Sequence, residues 1–467
     1  MSDSATLTPT SEGEGGLKRS ITGRLLFFYV LGDVLGSGIY VLIGAVAGEV
    51  GGAFWLAFLV GVSIATITGT AYAELVTKYP QAAGAALFVN KAFGNRALTF
   101  LVTVSMLSAS FAASGSLATG FASYFDTIWT LPPAILVSLL FIVMLTIVNY
   151  IGITESAVTN MVMTFVEVAG LIIVVVIGFT YVGQGNADFG RLTDFSAQGN
   201  EIFAVIAGVA LAFFAMTGFE NAANVAEEVV DAKRDFPRAL VGGMITAGVI
   251  YVVVAMAASL VVDVKELAAS DAALIEVVEA GVLPISVAFM TTLFAVIAMI
   301  AISNTTLVSV VTQSRILYGM AREDVVPGVF STVHRRRHSP WVALIFSGLV
   351  VSALLLVGFA LNEAGADIDV VARLATVTVV FTLFIYALVI VSAFVLRRDA
   401  AAPDAYRAPT ALLAIGLLGN ALLLGYVVID DPMSLAWVGG LLALGLVLFV
   451  LERTFGSAER STGAKVG

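Results

Sequence analysis

Long apolar runs dominate the pattern of hydrophobic and polar positions along this chain. A membrane-spanning helix takes ~20 mostly apolar residues, and twelve runs reach about that length. They lie near residues 25–48, 53–77, 97–125, 131–150, 156–182, 201–228, 239–262, 284–314, 340–360, 372–396, 410–429 and 433–451. The pattern predicts an all-α membrane protein of twelve transmembrane helices. One domain over 21–453 is expected between a disordered cytoplasmic tail at 1–20 and a second cytoplasmic tail at 454–467.

The composition places most of the chain in lipid. Of its 467 residues, 59% are hydrophobic and 12% are charged, and the mean hydropathy is +1.01. Soluble domains carry roughly 25% charged residues, so a water-soluble protein of this size would leave too much apolar surface exposed. The lipid bilayer is therefore the expected environment of the chain, whereas the sequence indicates no oligomeric state.

The basic residues predict the orientation of the helices. Lys and Arg collect on the cytoplasmic side of membrane proteins. With the N-terminus inside, only three of the 23 basic residues, Arg191, Lys265 and Arg373, lie outside. Both termini are therefore expected in the cytoplasm, with the protein in the cytoplasmic (plasma) membrane. The outer loops are acidic, which indicates either an ordinary solvated surface or a negative field that concentrates cations.

Several functional classes are disfavoured by what the sequence lacks. There is no cysteine, and the two histidines, His334 and His338, flank three arginines, so neither a metal site nor a bound cofactor is expected. The net charge of −10 argues against nucleic-acid binding. No phosphate-binding loop of the Gly-Lys-Ser/Thr type is present. An enzyme would have to use carboxylates alone, for example Asp33 and Glu220, and is not expected.

Two spans carry glycines that interrupt a helix. The first contains Gly36-Ser37-Gly38, and the sixth contains Thr217-Gly218 followed by Glu220. Close packing of small residues between helices is one interpretation. The other is a pair of broken helices in spans one and six, which is the best sequence indication of a transporter's binding site. Freed amides suit a carboxylate and freed carbonyls suit an ammonium group, so such a site fits an amino acid.

Carboxylates inside the membrane form a second group of candidates, because an ionised acid there costs at least ~2.5 kcal/mol. Asp33 and Glu167 are the functional candidates, since no basic residue within the spans neutralises them. Glu220 is either functional or an acceptor for amides of the broken helix. The acids nearer the cytoplasmic ends are expected to pair with basic loops or to form an inner gate. These are Glu74, Glu227 and Glu228.

These motifs resemble the amino acid–polyamine–organocation superfamily of transporters. The first-span sequence Gly36-Ser37-Gly38-Ile39-Tyr40 is similar to its glycine-rich signature, and Phe213–Glu220 is similar to its sixth-span motif. Tyr72-Ala73-Glu74-Leu75 and the Ser314–Asp324 stretch after span eight add to the resemblance, which runs from about residue 20 to 450.

The resemblance implies a five-plus-five inverted repeat of the leucine-transporter type, with repeats over about 25–182 and 201–396 and accessory helices over about 410–451. The substrate carboxylate would meet the Ser37, Gly38 and Ile39 amides beside Gly36. Its amino group would meet carbonyls of both breaks.

In the sixth span, the resemblance assigns substrate binding to Phe213, Phe214, Thr217, Gly218 and Glu220, with Phe214 closing over the substrate unless it merely packs in the core. In span eight, the polar patch Ser303, Asn304, Thr305 and Thr306, with Ser303 and Thr306 as the named candidates, either lines the cavity or serves helix packing.

The chain departs from the family at one informative position. Proton-coupled members often carry a lysine in span five, seven residues after an asparagine, whereas here Asn160 is followed by Glu167. Either Glu167 binds the coupling proton, or with Asp33 it helps to hold a cation such as Na⁺. Proton coupling is favoured, because two acids without a base suggest a shared proton. The expected protein is a secondary active amino acid symporter, with neutral or cationic amino acids favoured; a sodium-coupled symporter or an amino acid/polyamine exchanger is the alternative.

Overall fold

The structure is a computed structural model of the 467-residue chain. It describes residues 21–80, 84–151, 157–195, 200–322, 325–335, 339–366, 368–398, 405–451 and Thr454. The predicted tail at 1–20 and, apart from Thr454, the predicted tail at 454–467 lie outside the described residues.

The described chain is built from sixteen α-helices. They are α1 (Gly23–Leu35), α2 (Gly38–Val50), α3 (Trp55–Lys78), α4 (Gly84–Phe93), α5 (Arg96–Asp126), α6 (Ala134–Ile151), α7 (Ala157–Gly183), α8 (Glu201–Ala212), α9 (Ala232–Val261), α10 (Val264–Ala269), α11 (Ala273–Glu279), α12 (Val287–Arg322), α13 (Trp341–Leu361), α14 (Val370–Leu396), α15 (Thr410–Asp430) and α16 (Pro432–Leu451). Eleven elements can each cross a membrane, and the bent pair α1–α2 makes a twelfth span. The predicted twelve-span, all-helical fold is confirmed.

The predicted helix limits differ from the structure mainly where charged residues extend a helix. Helix α12 has 36 residues, whereas the apolar run ends near residue 314. At 1.5 Å per residue the helix is about 54 Å long, well beyond the ~30 Å hydrocarbon layer. Helix α9 likewise starts at Ala232, before its apolar run, because the Asp231 side chain caps the Arg234 amide. Apolar run length therefore reports the membrane segment rather than the whole helix.

The segments between the spans include short helices that hydropathy does not predict. Helices α4, α10 and α11 have ten, six and seven residues, too few to cross a bilayer. A further short pairing connects the chain before α1 to the end of the sixth span. There the Ile21 amide donates to the Glu228 carbonyl at 2.9 Å, and the Val230 amide donates to the Ile21 carbonyl at 3.0 Å.

Burial separates central helices from peripheral ones. In the most apolar window of each span, 67% of α14 and 61% of α9 is buried, against 28% of α15 and 22% of α16. The last two helices therefore present most of their surface outward, as accessory helices would. The core lies among the helices that surround the breaks in the first and sixth spans. The internal repeat and the orientation of the termini stay predictions.

Candidate functional site

The first membrane span is interrupted within the helix bundle. Helix α1 ends at Leu35, Gly36 leaves the helical conformation with φ −29° and ψ −158°, and α2 starts at Gly38 after a 41° bend. The position is also crowded, because a Cβ on Gly36 would lie 2.3 Å from Thr305 Oγ1. The break predicted in this span is confirmed.

The sixth span is interrupted as well. Helix α8 ends at Ala212, a 3₁₀ turn covers Phe213–Met216, and Thr217 is extended. Gly218 follows with φ +119°, a conformation that side-chain-bearing residues rarely adopt. A Cβ at Gly218 would also lie 2.7 Å from the Asp33 carbonyl oxygen. The second predicted break is therefore confirmed too.

The two breaks lie in direct contact with each other. A Cβ on Gly38 would lie 2.4 Å from Ala215 Cα, so the start of α2 packs on the backbone of the sixth span. Asn221 Nδ2 donates to Asp33 Oδ2 at 3.1 Å, which joins the same two spans at a second point. The breaks therefore form one structural unit rather than two separate irregularities.

Glu220 holds the sixth-span break in place. Its Oε2 accepts a hydrogen bond from the Gly218 amide at 2.8 Å and another from the Tyr386 hydroxyl of α14 at 2.6 Å. The amide needs this partner because the interrupted segment no longer supplies a regular helical acceptor. The structural interpretation of Glu220 is confirmed, and the same side chain also faces a cavity.

A cavity lies between the breaks and helices α3, α5, α12 and α14. Its empty volume is about 890 Å³, including the part that opens to solvent. It is lined by Asp33, Val34, Gly36, Ser37, Gly38, Tyr72, Met106, Ala109, Ser110, Ala113, Leu117, Phe214, Ala215, Thr217, Gly218, Glu220, Asn221, Thr305, Ser309, Thr312, Ile316, Thr378, Thr382, Ile385 and Tyr386. This described lining holds two carboxylates and no Lys, Arg or His.

The predicted site residues are divided between the cavity wall and the layer behind it. The cavity is lined by Asp33, Gly36, Ser37, Gly38, Phe214, Thr217, Gly218 and Glu220. Ile39 and Phe213 are fully buried and are not among the lining residues. Their side chains pack in the core, although the backbone of each belongs to a break.

Of the polar patch in span eight, Thr305 lines the cavity, whereas Ser303 and Thr306 follow the helix-packing alternative. Ser303 and Thr306 are not among the lining residues, and their hydroxyls donate to the Met299 and Ile302 carbonyls of their own helix. The wall is formed instead by Thr305, Ser309, Thr312 and Ile316. These positions follow the i, i+4, i+7, i+11 spacing of one helical face. A polar patch in the sequence locates the span but not the face that points inward.

Ser37 combines the features of an anion-binding group. Its amide donates to Thr305 Oγ1 at 3.2 Å, and it directly precedes α2, whose first amides have no acceptor within the helix. Its own Oγ is buried and has no hydrogen-bond partner among the described residues. A buried hydroxyl without a partner is uncommon, and this one belongs to a residue that lines the cavity.

Glu167 is fully buried behind the first break and does not line the cavity. Its Oε1 accepts a hydrogen bond from Asn304 Nδ2 at 3.1 Å, whereas Oε2 has no partner among the described residues. Tyr40 of α2 donates to the Glu167 backbone carbonyl at 2.7 Å. Glu167 therefore contacts both the broken first span and α12. The side chain of Asn160, seven residues earlier, lies outside the described part of the chain.

Several residues at the site were not identified from the sequence. Thr378 and Thr382 of α14 line the cavity, and their i, i+4 spacing in an otherwise apolar helix is a signal that could have found them. Tyr386 of α14 reaches the site through its bond to Glu220, and the Tyr251 hydroxyl of α9 contacts carbonyls of both breaks. A lone tyrosine in an apolar helix carries no local signal of such a role.

Glu74 forms the pairing with a basic residue that the sequence predicted. The Arg397 guanidinium at the end of α14 donates from Nε to Glu74 Oε1 at 2.8 Å and from Nη2 to Oε2 at 2.7 Å. The Ala408 amide donates to the same carboxylate at 2.9 Å. The pairing predicted for Glu74 is confirmed, and the side chain of Glu227 lies outside the described residues.

The loops predicted to face outside also bring acids together. Burial and the nearby Asp369 carboxylate raise the pKa of Asp271. The carboxylate of Asp431, by contrast, forms an ion pair with Arg373 of α14. These contacts show how a few of the loop acids are placed. That the loops produce a negative field which concentrates cations stays a prediction.

Comparison with known proteins gives a consistent result over the whole membrane region. The family described as "Amino acid permease" matches the chain over residues 23–451. The chain is 25% identical to the branched-chain amino acid permease BcaP of Bacillus subtilis (strain 168), over 95% of both proteins. It is 25% identical to cationic amino acid transporter 5 of Arabidopsis thaliana, over 83% of this chain and 66% of that protein.

A further relative carries a different kind of name. The chain is 23% identical to the methylthioribose transporter of Bacillus subtilis (strain 168), over 75% of this chain and 77% of that protein. Each similarity extends over most of the chain, so it concerns the helical domain as a whole rather than a single motif.

Proposed function

This chain belongs to the amino acid permease family and is a membrane transporter rather than an enzyme, and on that premise we propose that it is a secondary active transporter of neutral or cationic amino acids. It works by alternating access in the cytoplasmic membrane, and proton movement drives it. The observation that carries the proposal is the contact between two broken helices beside a cavity that contains an unpartnered, buried Ser37 hydroxyl.

The substrate carboxylate binds at the start of α2. The first amides of this helix point toward the break, and a helix N-terminus carries partial positive charge. The Ser37 Oγ, which has no partner among the described residues, donates to one carboxylate oxygen. The amides of Gly38 and Ile39 complete this half of the site, although the Ile39 side chain lies outside the cavity.

The substrate ammonium group binds on the opposite side, at the sixth-span break. Carbonyls freed between Phe213 and Thr217 accept its hydrogen bonds, and Glu220 and Asp33 supply negative charge to the cavity. This charge disfavours an acidic substrate side chain. Phe214 lines the cavity and closes over the bound substrate.

Glu167 carries the coupling proton. Its Oε2 has no hydrogen-bond partner among the described residues, and the residue is fully buried. An ionised carboxylate with one oxygen unpaired is costly in such a place, which favours the protonated form and supports this role. Its bond to Asn304, whose neighbour Thr305 accepts from the Ser37 amide, and the Tyr40 contact connect Glu167 to the first break and to α2. Protonation changes at Glu167 are thereby coupled to the position of the broken helix.

The test is uptake by purified protein in proteoliposomes, with a panel of radiolabelled amino acids and separately imposed pH and sodium gradients. We expect uptake of at least one neutral or cationic amino acid to follow the pH gradient. Uptake that follows sodium and ignores pH would replace proton coupling with sodium coupling. Transport that occurs only against a preloaded amino acid or polyamine would identify an exchanger.

A further inference from the structure

Tyr251 of α9 lies behind the two breaks and outside the cavity. It is fully buried, and its ring packs edge-on against Phe58 of α3 with ring centroids 5.9 Å apart. Its hydroxyl lies 2.5 Å from the Val34 carbonyl oxygen in the first span and 3.3 Å from the Ala215 carbonyl oxygen in the sixth. The hydroxyl has one hydrogen, so its main hydrogen bond goes to Val34, and Ala215 is the weaker acceptor of a shared bond. One side chain therefore contacts the backbone of both breaks.

Both carbonyls have lost their helical donors. The donor to Val34 in a continuous helix would be the Gly38 amide, which instead begins α2 after the break. The donor to Ala215 would be the Phe219 amide, beyond extended Thr217. The Gly218 amide, which would be the donor to Ala215 in a 3₁₀ turn, instead donates to the Glu220 side chain. Without Tyr251, the Val34 carbonyl would lose the donor that replaces the helical one, and the Ala215 carbonyl would lose a weaker contact, which is costly in an interior.

We propose that Tyr251 is a positioning residue, which fixes the spacing of the two broken helices and so keeps the two halves of the substrate site in register. The first break presents amides and Ser37, and the second presents carbonyls and Glu220. An amino acid bridges these groups, so its affinity depends on the distance between them. This inference rests on the proposed function.

The chain offers a matched control at Tyr124 of α5. Tyr124 is also fully buried, and its hydroxyl donates to the Tyr40 carbonyl at 2.7 Å. Tyr40 lies inside the continuous helix α2, where the Gly44 amide is the regular donor to that carbonyl. Removal of the Tyr124 hydroxyl therefore leaves the carbonyl satisfied, whereas removal of the Tyr251 hydroxyl does not.

The experiment compares Tyr251→Phe, Tyr124→Phe and wild type in proteoliposomes, with the amino acid that wild type transports best. Loss of a bond to a buried, otherwise unpaired carbonyl predicts a KM raised roughly 5- to 50-fold for Tyr251→Phe. The maximal rate is expected to stay within about twofold, and Tyr124→Phe to keep its KM within about threefold. Phe58→Leu, which weakens ring packing but keeps the hydroxyl, is expected to lower the melting temperature without raising KM.

Three results would overturn the proposal: an unchanged KM in Tyr251→Phe, an equal rise in Tyr124→Phe, or a fall in maximal rate with KM unchanged. A Tyr251→Phe protein that fails to fold, while Tyr124→Phe folds, assigns the hydroxyl to stability and also overturns it. If wild type transports a solute other than an amino acid, the proposed function fails. The same KM comparison on that solute then tests Tyr251 separately.

Discussion

Single side chains with unused hydrogen-bonding atoms identify the chemistry of this site. Ser37 Oγ and Glu167 Oε2 are both buried without a partner among the described residues, and both belong to the neighbourhood of the first break. Such atoms are uncommon in folded proteins because each costs desolvation free energy. Under the proposed function, the Ser37 hydroxyl donates to the substrate and the Glu167 carboxylate binds the coupling proton.

Replacement of Ser37 with alanine should weaken substrate binding. The hydroxyl is proposed to donate to the substrate carboxylate, and a hydrogen bond to a charged group contributes about 1.5–3 kcal/mol. We expect KM to rise roughly 10- to 100-fold, measured by initial uptake rates in proteoliposomes. Ser347→Ala in α13 is the control, because Ser347 Oγ is also buried without a partner but lies away from the cavity. Equal effects of the two substitutions would contradict a role in binding.

Replacement of Glu167 with glutamine should uncouple transport. The amide keeps the size of the side chain and an oxygen that can accept from Asn304, but it cannot carry the coupling proton. We expect exchange of labelled for unlabelled substrate to persist within about threefold, while stimulation by a pH gradient disappears. Glu279→Gln, at an exposed carboxylate, serves as the control. Full gradient-driven uptake by Glu167→Gln would argue against the proposed coupling role.

At the scale of elements, the breaks in the first and sixth spans determine the geometry of the site. Each break is local in sequence, since glycine and small polar residues weaken the helix. Their contact is not local: Gly38 meets Ala215, and Asp33 meets Asn221, across 188 positions in the second case. The glycines therefore serve two purposes, opening the helix and allowing two backbones to approach closely.

Replacement of Gly38 with alanine should disrupt this contact. The added Cβ would lie 2.4 Å from Ala215 Cα, and backbone cannot yield as a flexible side chain can. Overpacking of this kind costs about 1–3 kcal/mol, and we expect both the melting temperature and uptake to fall. The comparison is Gly425→Ala in α15, where a Cβ would meet nothing within 4 Å. Alanine favours a helix by about 1 kcal/mol over glycine, so stability at this site is expected to stay equal or to rise. Equal losses in the two variants would refute the crowding explanation.

At the scale of the whole molecule, a buried ion pair connects distant helices at one end of the bundle. Glu74 of α3 and Arg397 at the end of α14 are 323 positions apart, and their side chains are only 7% and 10% exposed. Arg397 Nη1 also donates to Thr410 Oγ1 at 2.7 Å, so the pair includes the start of α15. This contact unites helices that the hydropathy pattern treats as independent.

Replacement of Glu74 with glutamine should destabilise the protein by about 3–5 kcal/mol, because it leaves a buried guanidinium without its anion. The double variant Glu74→Gln/Arg397→Leu should recover much of that loss, as measured by thermal unfolding in detergent. Arg398→Gln, at the exposed neighbouring residue, should have little effect. A double variant as unstable as the sum of its two single variants would show that the charges do not interact.

The sequence by itself determined the number of spans, the membrane environment and the places where two helices break. These are local properties, since apolar run length measures the fit to a bilayer and glycine weakens the helix in which it stands. It also offered the acceptor role of Glu220 and the pairing of Glu74 with a basic residue as alternatives, because a charged group within an apolar span needs a partner.

Only the tertiary structure decided which side chains meet. Helix rotation decides which face of α12 lines the cavity. Contacts between distant segments leave Glu167 Oε2 without a partner among the described residues and bring the Tyr251 hydroxyl to the Val34 and Ala215 carbonyls. A single sequence records neither the rotation of a helix nor its contacts with distant segments. Helix rotation follows from packing against several neighbours at once, and no one segment contains the information about all of them.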